Sequence, residues 1–362
     1  MWLIYALGGG WGHLTRAIAL ARIAERDRPV RILTNSPYAD IARPAFSRLT
    51  GGTACPTTAA EREQAGQGVR HTESPQAVKD LSCCDTRNAL DIVAFDAGAT
   101  ADQTRAAVTR EIAESRPSCL IVDTFPRGIG GELAGVLGNL AARKVLVQRE
   151  LNSRYVEAAR LREFVAAHYD LVLAPGAGEG SQLGGPAPAH ETHPWLVRCA
   201  GEIPDRAQAR YVLVCASGKP EELQWYGEVI SELRKLDCPV PVRCVAADRP
   251  PECPLECWVR YWPAMELLGA AAVVVGGAGY NTIEECLACG VPLIARPWPR
   301  IYDRQDLRAQ RASARGRVLV VNEPQEAARQ ALKEIGNRTV RPLDFANGVT
   351  EAVTLIGKLR WP

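Results

Sequence analysis

Between Val273 and Gln305 the chain reads VVVGGAGYNTIEECLACGVPLIARPWPRIYDRQ. An apolar strand runs into a glycine turn and then a helix ended at Gly290, and a second apolar strand closes on the polar run Asp303-Arg304-Gln305. That order of elements is the building unit of a parallel α/β sheet. Glycines after a strand let a phosphate approach the backbone, and the helix behind them supplies unpaired N–H groups and positive dipole. A glycine turn alone is common to many doubly wound proteins. Here it is followed by a carboxylate at Glu285, a Gly-Val-Pro break and a glutamine, and a second glycine-rich turn opens the chain at Gly8–Gly12.

The rest of the sequence repeats this alternation in two halves. Strands are expected at Trp2–Leu7, Val30–Thr34, Cys119–Val122, Lys144–Gln148 and Leu171–Ala174, with helical patterns at His13–Glu25, Ala101–Ser115, Gly130–Ala142 and Glu157–His168. Thr57–Ser82 lacks periodicity and reads as a long loop. A Gly/Pro/Ala-rich stretch from Gly178 to Pro194, a short strand at Trp195–Ala200 and Gly201-Glu202-Ile203-Pro204 read as a hinge. A second set of strands follows at Tyr211–Cys215, Val242–Ala246, Val259–Tyr261, Val273–Val275, Pro292–Ala295 and Arg317–Val321. The expected fold is α/β, with two Rossmann-like doubly wound domains facing across a cleft, residues 1–204 and 205–345, and a C-terminal helix in 346–362. Ligands of open α/β sheets bind beyond the carboxyl ends of the strands, where every glycine turn named here falls.

Composition narrows the function. The 362 residues suffice for two cores, and 43 basic against 41 acidic residues give a net charge of +2 and no case for nucleic-acid binding. No apolar run reaches the roughly 18–20 residues that span a bilayer. The apolar start Met1–Leu7 lacks a basic leader and is read as a buried strand, which points to a cytoplasmic protein. Twelve cysteines include a C-x-x-C at Cys286 and Cys289 but no second pair at zinc-ribbon spacing, so buried thiols are expected and no metal site.

In the first half, Gly8-Gly9-Gly10-Trp11-Gly12-His13-Leu14-Thr15-Arg16 leads into a helix for which Thr15 or His13 could serve as cap. His13 would then stand in the cleft, where an imidazole can take a proton from a hydroxyl. Asp123, ending the strand CLIVD, is the first choice of carboxylate to orient it, with Glu150 and Asp96 as rivals. In the second half the backbone of Gly277, Ala278 and Gly279, with the side chains of Asn281 and Thr282, would meet a diphosphate. Ser217-Gly218-Lys219 is a further phosphate contact that lacks P-loop spacing.

GGGWGHLTR is similar to the G-x-G-H-x-x-R segment of MurG-like transferases, and the run from Tyr261 to Gln310 resembles the donor-sugar site of GT-B nucleotide-sugar glycosyltransferases. The resemblance implies that His13 is the catalytic base, partnered by Asp123, and that Gly12 lies at the diphosphate. It implies that Glu285 binds the ribose hydroxyls, Gln305 the donor sugar and Trp262 the nucleobase side, and Arg300 and Arg304 could equally help neutralise the diphosphate. It also implies that the last helix packs back on the first domain. Ala278 stands where the family commonly has serine. The implied function is metal-independent, inverting hexosyl transfer from a UDP-sugar, with the nucleotide-sugar as substrate and no cofactor. The acceptor is a small molecule, a glycan or a lipid-linked group, the last with peripheral contact at the inner membrane face. The alternatives are a nucleotide-sugar hydrolase or 2-epimerase, and a non-catalytic nucleotide-sugar-binding protein.

Overall fold

The structure is a computed structural model and describes residues 1–8, 10–50, 90–176, 183, 189–203, 211–337 and 343–359. The expected loop Thr57–Ser82, most of the Gly178–Pro194 stretch and the expected boundary at 204–205 lie outside these residues.

Two parallel sheets carry the fold. The first has seven strands, β1 (Trp2–Tyr5), β2 (Val30–Thr34), β3 (Asp91–Ala94), β4 (Cys119–Asp123), β5 (Arg143–Val147), β6 (Leu171–Pro175) and β7 (Ala189–Thr192), in the order β3-β2-β1-β4-β5-β6-β7. The second has six, β8 (Tyr211–Cys215), β9 (Val242–Val245), β10 (Trp258–Val259), β11 (Ala271–Gly277), β12 (Leu293–Arg296) and β13 (Val318–Val320), in the order β10-β9-β8-β11-β12-β13. Central strands such as Trp2-Leu3-Ile4-Tyr5 are buried on both faces, as expected of a parallel sheet covered by helices on each side.

The helices are α1 (Trp11–Ala24), α2 (Ala39–Thr50), α3 (Ala101–Ser115), α4 (Ser153–Ala158), α5 (Leu161–His168), α6 (Pro220–Lys235), α7 (Met265–Leu268), α8 (Tyr280–Ala288), α9 (Gln305–Ala314), α10 (Pro324–Ile335) and α11 (Val349–Gly357). Local chemistry fixes their ends. Thr100 and Gln103 form a complete capping box at α3, an arrangement worth about 1 kcal/mol. Helix α8 stops in a Schellman turn: Val291 N–H reaches Cys286 O at 3.0 Å, Gly290 N–H reaches Leu287 O at 3.1 Å, and Gly290 takes φ +58°. Only glycine adopts that φ without strain, which is why the Gly-Val-Pro break was readable in the sequence.

Several expectations are corrected. Gly130–Ala142 forms turns and a single 3-10 turn at Leu137–Asn139, because four glycines interrupt it and Gly131 takes φ +83°. The Glu157–His168 helix is broken at Arg160, which takes φ +47°. No strand forms at Trp195–Ala200; β7 lies earlier instead. The Leu196 backbone is paired by a side chain, its N–H donating to Asn347 Oδ1 at 3.2 Å and its carbonyl accepting from Asn347 Nδ2 at 2.7 Å. With both polar groups satisfied, that segment needs no sheet neighbour. Asn347 stands two residues before α11, which packs on α1 of the first half. No described helix is long and apolar enough to cross a membrane.

The strand order sets where a site can form. In the first sheet it reverses between β1 and β4, and in the second between β8 and β11. The crevices at these two switch points open toward each other. Trp262 Nε1 donates to Thr15 Oγ1 at 3.2 Å, and Asn281 Nδ2 donates to Gly12 O at 3.5 Å.

Candidate functional site

The first switch point holds His13, Arg16 and Asp123. Helix α1 starts at Trp11 with Gly10 as its cap and no side-chain cap. This corrects the expectation that Thr15 or His13 caps it: both lie inside the first turns, and Thr15 instead accepts from Trp262. His13 Nδ1 lies 2.6 Å from Asp123 Oδ2. Its ring crosses the Gly8 backbone so closely that a Cβ there would stand 2.3 Å from Cδ2, so any other residue at position 8 would displace the imidazole. Asp123 is buried at 2% exposure, and burial alone would raise its pKa. The Arg16 guanidinium and then His13 outweigh that and hold the carboxyl below its usual range. Thr124, next in line, takes φ +71°, a conformation costing a β-branched residue about 1–3 kcal/mol. Its N–H is held by Val147 O at 2.9 Å.

Of the rival carboxylates, Glu150 is buried against the other half, 3.3 Å from Arg311 of α9. Asp96 accepts from the Gly98 N–H at 2.9 Å in an exposed turn. Among the described carboxylates, it is Asp123 that is recorded in contact with His13.

The second switch point holds a cavity of about 100 Å³ lined from both halves. Trp11 and Thr15 come from α1, Ser217 follows β8, Tyr261 and Trp262 precede α7, and Asn281, Thr282 and Glu285 come from α8. Trp11 stacks flat on Tyr38 at 4.0 Å. The start of α8 has no side-chain cap, so the N–H groups of its first turn have no partner within the helix. Asn281 and Thr282 stand in that turn.

Ala278 needs correction as a diphosphate contact. Its N–H donates to Arg296 O at 3.1 Å and its side chain is fully buried, so it presents neither to a ligand. Gly277 ends β11 and Gly279 is the residue before α8. Ser217 lines the cavity, while Gly218 and Lys219 are exposed beside it and outside its lining.

Glu285 faces the cavity yet lies deep enough that burial pushes its pKa from an ordinary 4.5 to about 8. The folded protein therefore holds a proton that the unfolded chain releases. The stability this contributes is complete below about 4.5 and is lost as pH climbs through about 8. Glu285→Gln is expected to remove that decline, and thermal melts of variant and wild type between about pH 5 and about pH 9 measure it. Parallel curves would show a solvated carboxyl. Cys215 and Cys286 share the cavity wall as free thiols whose pKa values burial raises, which favours the neutral thiol. Among the described residues no group of three His, Cys, Asp or Glu side chains could hold a metal ion.

The loop between β12 and α9 crosses to the first half. Asn152 N–H donates to Tyr302 O at 2.9 Å, and the Tyr302 ring lies 5.4 Å from Phe125 and 4.8 Å from Tyr155. Gln305, the first residue of α9, is buried and accepts from Trp298 N–H at 3.0 Å through its amide oxygen. Asp303 pairs with Arg308 and accepts from the Arg304 N–H at 3.0 Å. Arg304 is half-buried just before α9. Arg300 makes a two-point pair with buried Glu222 at 2.6 and 2.7 Å.

Sequence reasoning missed Arg16, Trp11, Tyr38 and Tyr302 as parts of the site. For Arg16 the signal was present, since it stands three residues after His13 and shares its helix face. For Tyr302 only the crossing of the loop reveals it.

Residues 258–341 match the glycosyltransferase family 28 C-terminal domain. No curated protein matches the chain in sequence. Among solved structures, the glycotransferase of kitacinnamycin is 14% identical with a TM-score of 0.55, the alignment covering 100% of this chain and 99% of that one. The glycosyltransferase SnogD from Streptomyces nogalater is 14% identical over 99% of both chains, with a TM-score of 0.53. The UDP-GlcNAc 2-epimerase from Methanocaldococcus jannaschii is 12% identical over 99% of both, with a TM-score of 0.55. At such identities the likeness is one of fold, the GT-B arrangement of two Rossmann-like domains.

Proposed function

We propose, for a chain of GT-B fold whose residues 258–341 match a family 28 glycosyltransferase C-terminal domain, that it transfers a hexosyl group from a UDP-sugar to an acceptor hydroxyl. The observation that carries the reading is the His13–Asp123 pair at the first switch point, held across the cleft from the open N-terminus of α8. With Nδ1 donating to Asp123, the tautomer assigned from that bond leaves Nε2 as the basic atom. Nε2 takes the acceptor proton and the hydroxyl oxygen forms a bond to the anomeric carbon. The bond from that carbon to the diphosphate breaks, and the departing charge is received by the N–H groups of α8. Asp123 orients the imidazole and stabilises its charged form without taking the proton, in the manner of other His–Asp pairs. A single displacement inverts the anomeric centre.

In this reading Glu285 accepts from the ribose diol, Thr282, Asn281, Ser217, Gly12, Gly277 and Gly279 surround the diphosphate, and Trp262 lies beside the base. Gln305 and Arg304 stand at the sugar end, where the Gln305 NH₂ group is the atom offered to a hydroxyl. Gly218 and Lys219 meet the phosphates from the exposed side. No step uses a metal. Domains divide near 204–205, and an acceptor carried on a lipid would bring the protein to a membrane surface.

Incubation with UDP-glucose and UDP-N-acetylglucosamine, with and without a panel of hydroxyl acceptors, tests this. Transfer products with release of UDP are expected. Free sugar without acceptor indicates a hydrolase, an isomerised donor a 2-epimerase, and intact donor with tight binding a non-catalytic protein. Any of these three overturns the transfer reading.

A further inference from the structure

Arg16 binds both sides of the cleft at once. Its Nε donates to Asp123 Oδ1 at 3.0 Å and its Nη2 to Asp123 Oδ2 at 2.7 Å, a two-point grip on the carboxylate. Nη2 also lies 3.4 Å from Thr124 Oγ1, while Nη1 donates to Asn281 Oδ1 at 3.3 Å in the first turn of α8. The side chain is 5% exposed, so these bonds are made out of water, where charge-assisted pairs are strong. Asp123 Oδ2 is thus shared between Arg16 and His13.

We propose that Arg16 is a positioning residue that registers the His13–Asp123 pair against the donor diphosphate; this deepens, and rests on, the glycosyl-transfer reading. Two consequences follow from the geometry. The fork fixes the carboxylate plane, so that Oδ2 faces His13 Nδ1 and the ring cannot turn its other nitrogen inward. The Nη1 bond ties that carboxylate to α8 through Asn281, so the base is set relative to the atoms that receive the leaving group. Errors of about 1 Å in such registration cost about a hundredfold in rate. Lysine would keep the charge while losing the planar fork and the reach to Asn281.

The test compares wild type, Arg16→Lys and Arg16→Gln in UDP binding by calorimetry and in kcat and donor KM with UDP-N-acetylglucosamine or UDP-glucose. Both variants are expected to bind UDP within about threefold of wild type, because the α8 amides remain. Both should lose kcat by about tenfold to a hundredfold with donor KM little changed. A variant with wild-type kcat overturns the proposal, as does a kcat loss that follows a matching loss of UDP affinity, since that pattern marks structural damage. Failure of the wild type to bind UDP or turn over either donor overturns the transfer reading and this proposal together. Turnover by the wild type with unaffected variants overturns the proposal alone.

Discussion

Replacing His13 by alanine should lower kcat/KM by about 10²–10⁴-fold, the range for losing a general base, while UDP affinity stays within about threefold. The separation follows from the geometry. His13 stands at the first switch point against Asp123, whereas Trp262, Asn281, Thr282 and Glu285 line the cavity at the second. In the proposed mechanism the imidazole enters only when the acceptor proton moves, so its loss acts on the transition state rather than on donor binding. Initial-rate kinetics beside calorimetry of UDP binding decide the matter. Unchanged turnover in His13→Ala would remove the base assignment and favour a substrate-assisted route or another residue.

Asp123→Ala is expected to harm stability as well as turnover. The carboxylate is 3% exposed and holds Arg16 by two bonds and His13 by one. Its removal leaves a guanidinium buried without its main counter-charge, a change that typically costs about 3–5 kcal/mol. Denaturant titration at neutral pH should show that loss. A pH series adds an independent sign. The Asp123 carboxyl is held below its ordinary value of 3.8, so its contribution is present above that value and is lost as pH falls toward the folded pKa. Wild type should therefore lose stability below about pH 4, and Asp123→Asn, lower throughout, should lose less over the same span. An Asp123→Ala protein as stable as wild type would mean that Arg16 finds equivalent partners elsewhere.

The sequence made the two-sheet plan legible because buried parallel strands are short apolar runs that glycine turns delimit. Trp2–Tyr5, Tyr211–Cys215 and Ala271–Gly277 carry that signal in full. The strand Asp91–Ala94 escaped it, being exposed at both ends on the sheet edge, and α2 escaped it with Pro44 in its middle. At the site, placements that follow from the local backbone could be read, such as His13 after a glycine turn and Asp123 at a strand end. Ala278 misled because proximity to a helix start does not reveal that its N–H already serves the sheet. Arg16 and Tyr302 act through partners more than 100 residues away, Asp123 and Asn281 for the first and Asn152, Phe125 and Tyr155 for the second. For Arg16 local spacing shows only the helix face it shares with His13, and for Tyr302 it shows nothing.

The Tyr302 contact bears on protein engineering. Donor halves of two-sheet proteins look like cassettes that could be exchanged to change the sugar transferred. In this molecule the loop that leads to Gln305 is pinned by the backbone of Asn152 and by two rings of the other half, and Trp262 is pinned by Thr15. A chimera joined between the sheets would inherit its loop from one parent and the anchor from the other. Under the proposed transfer reading, exchange should succeed only when Phe125, Asn152, Tyr155 and Thr15 travel with the second half, which would make the heritable unit of donor choice larger than one domain.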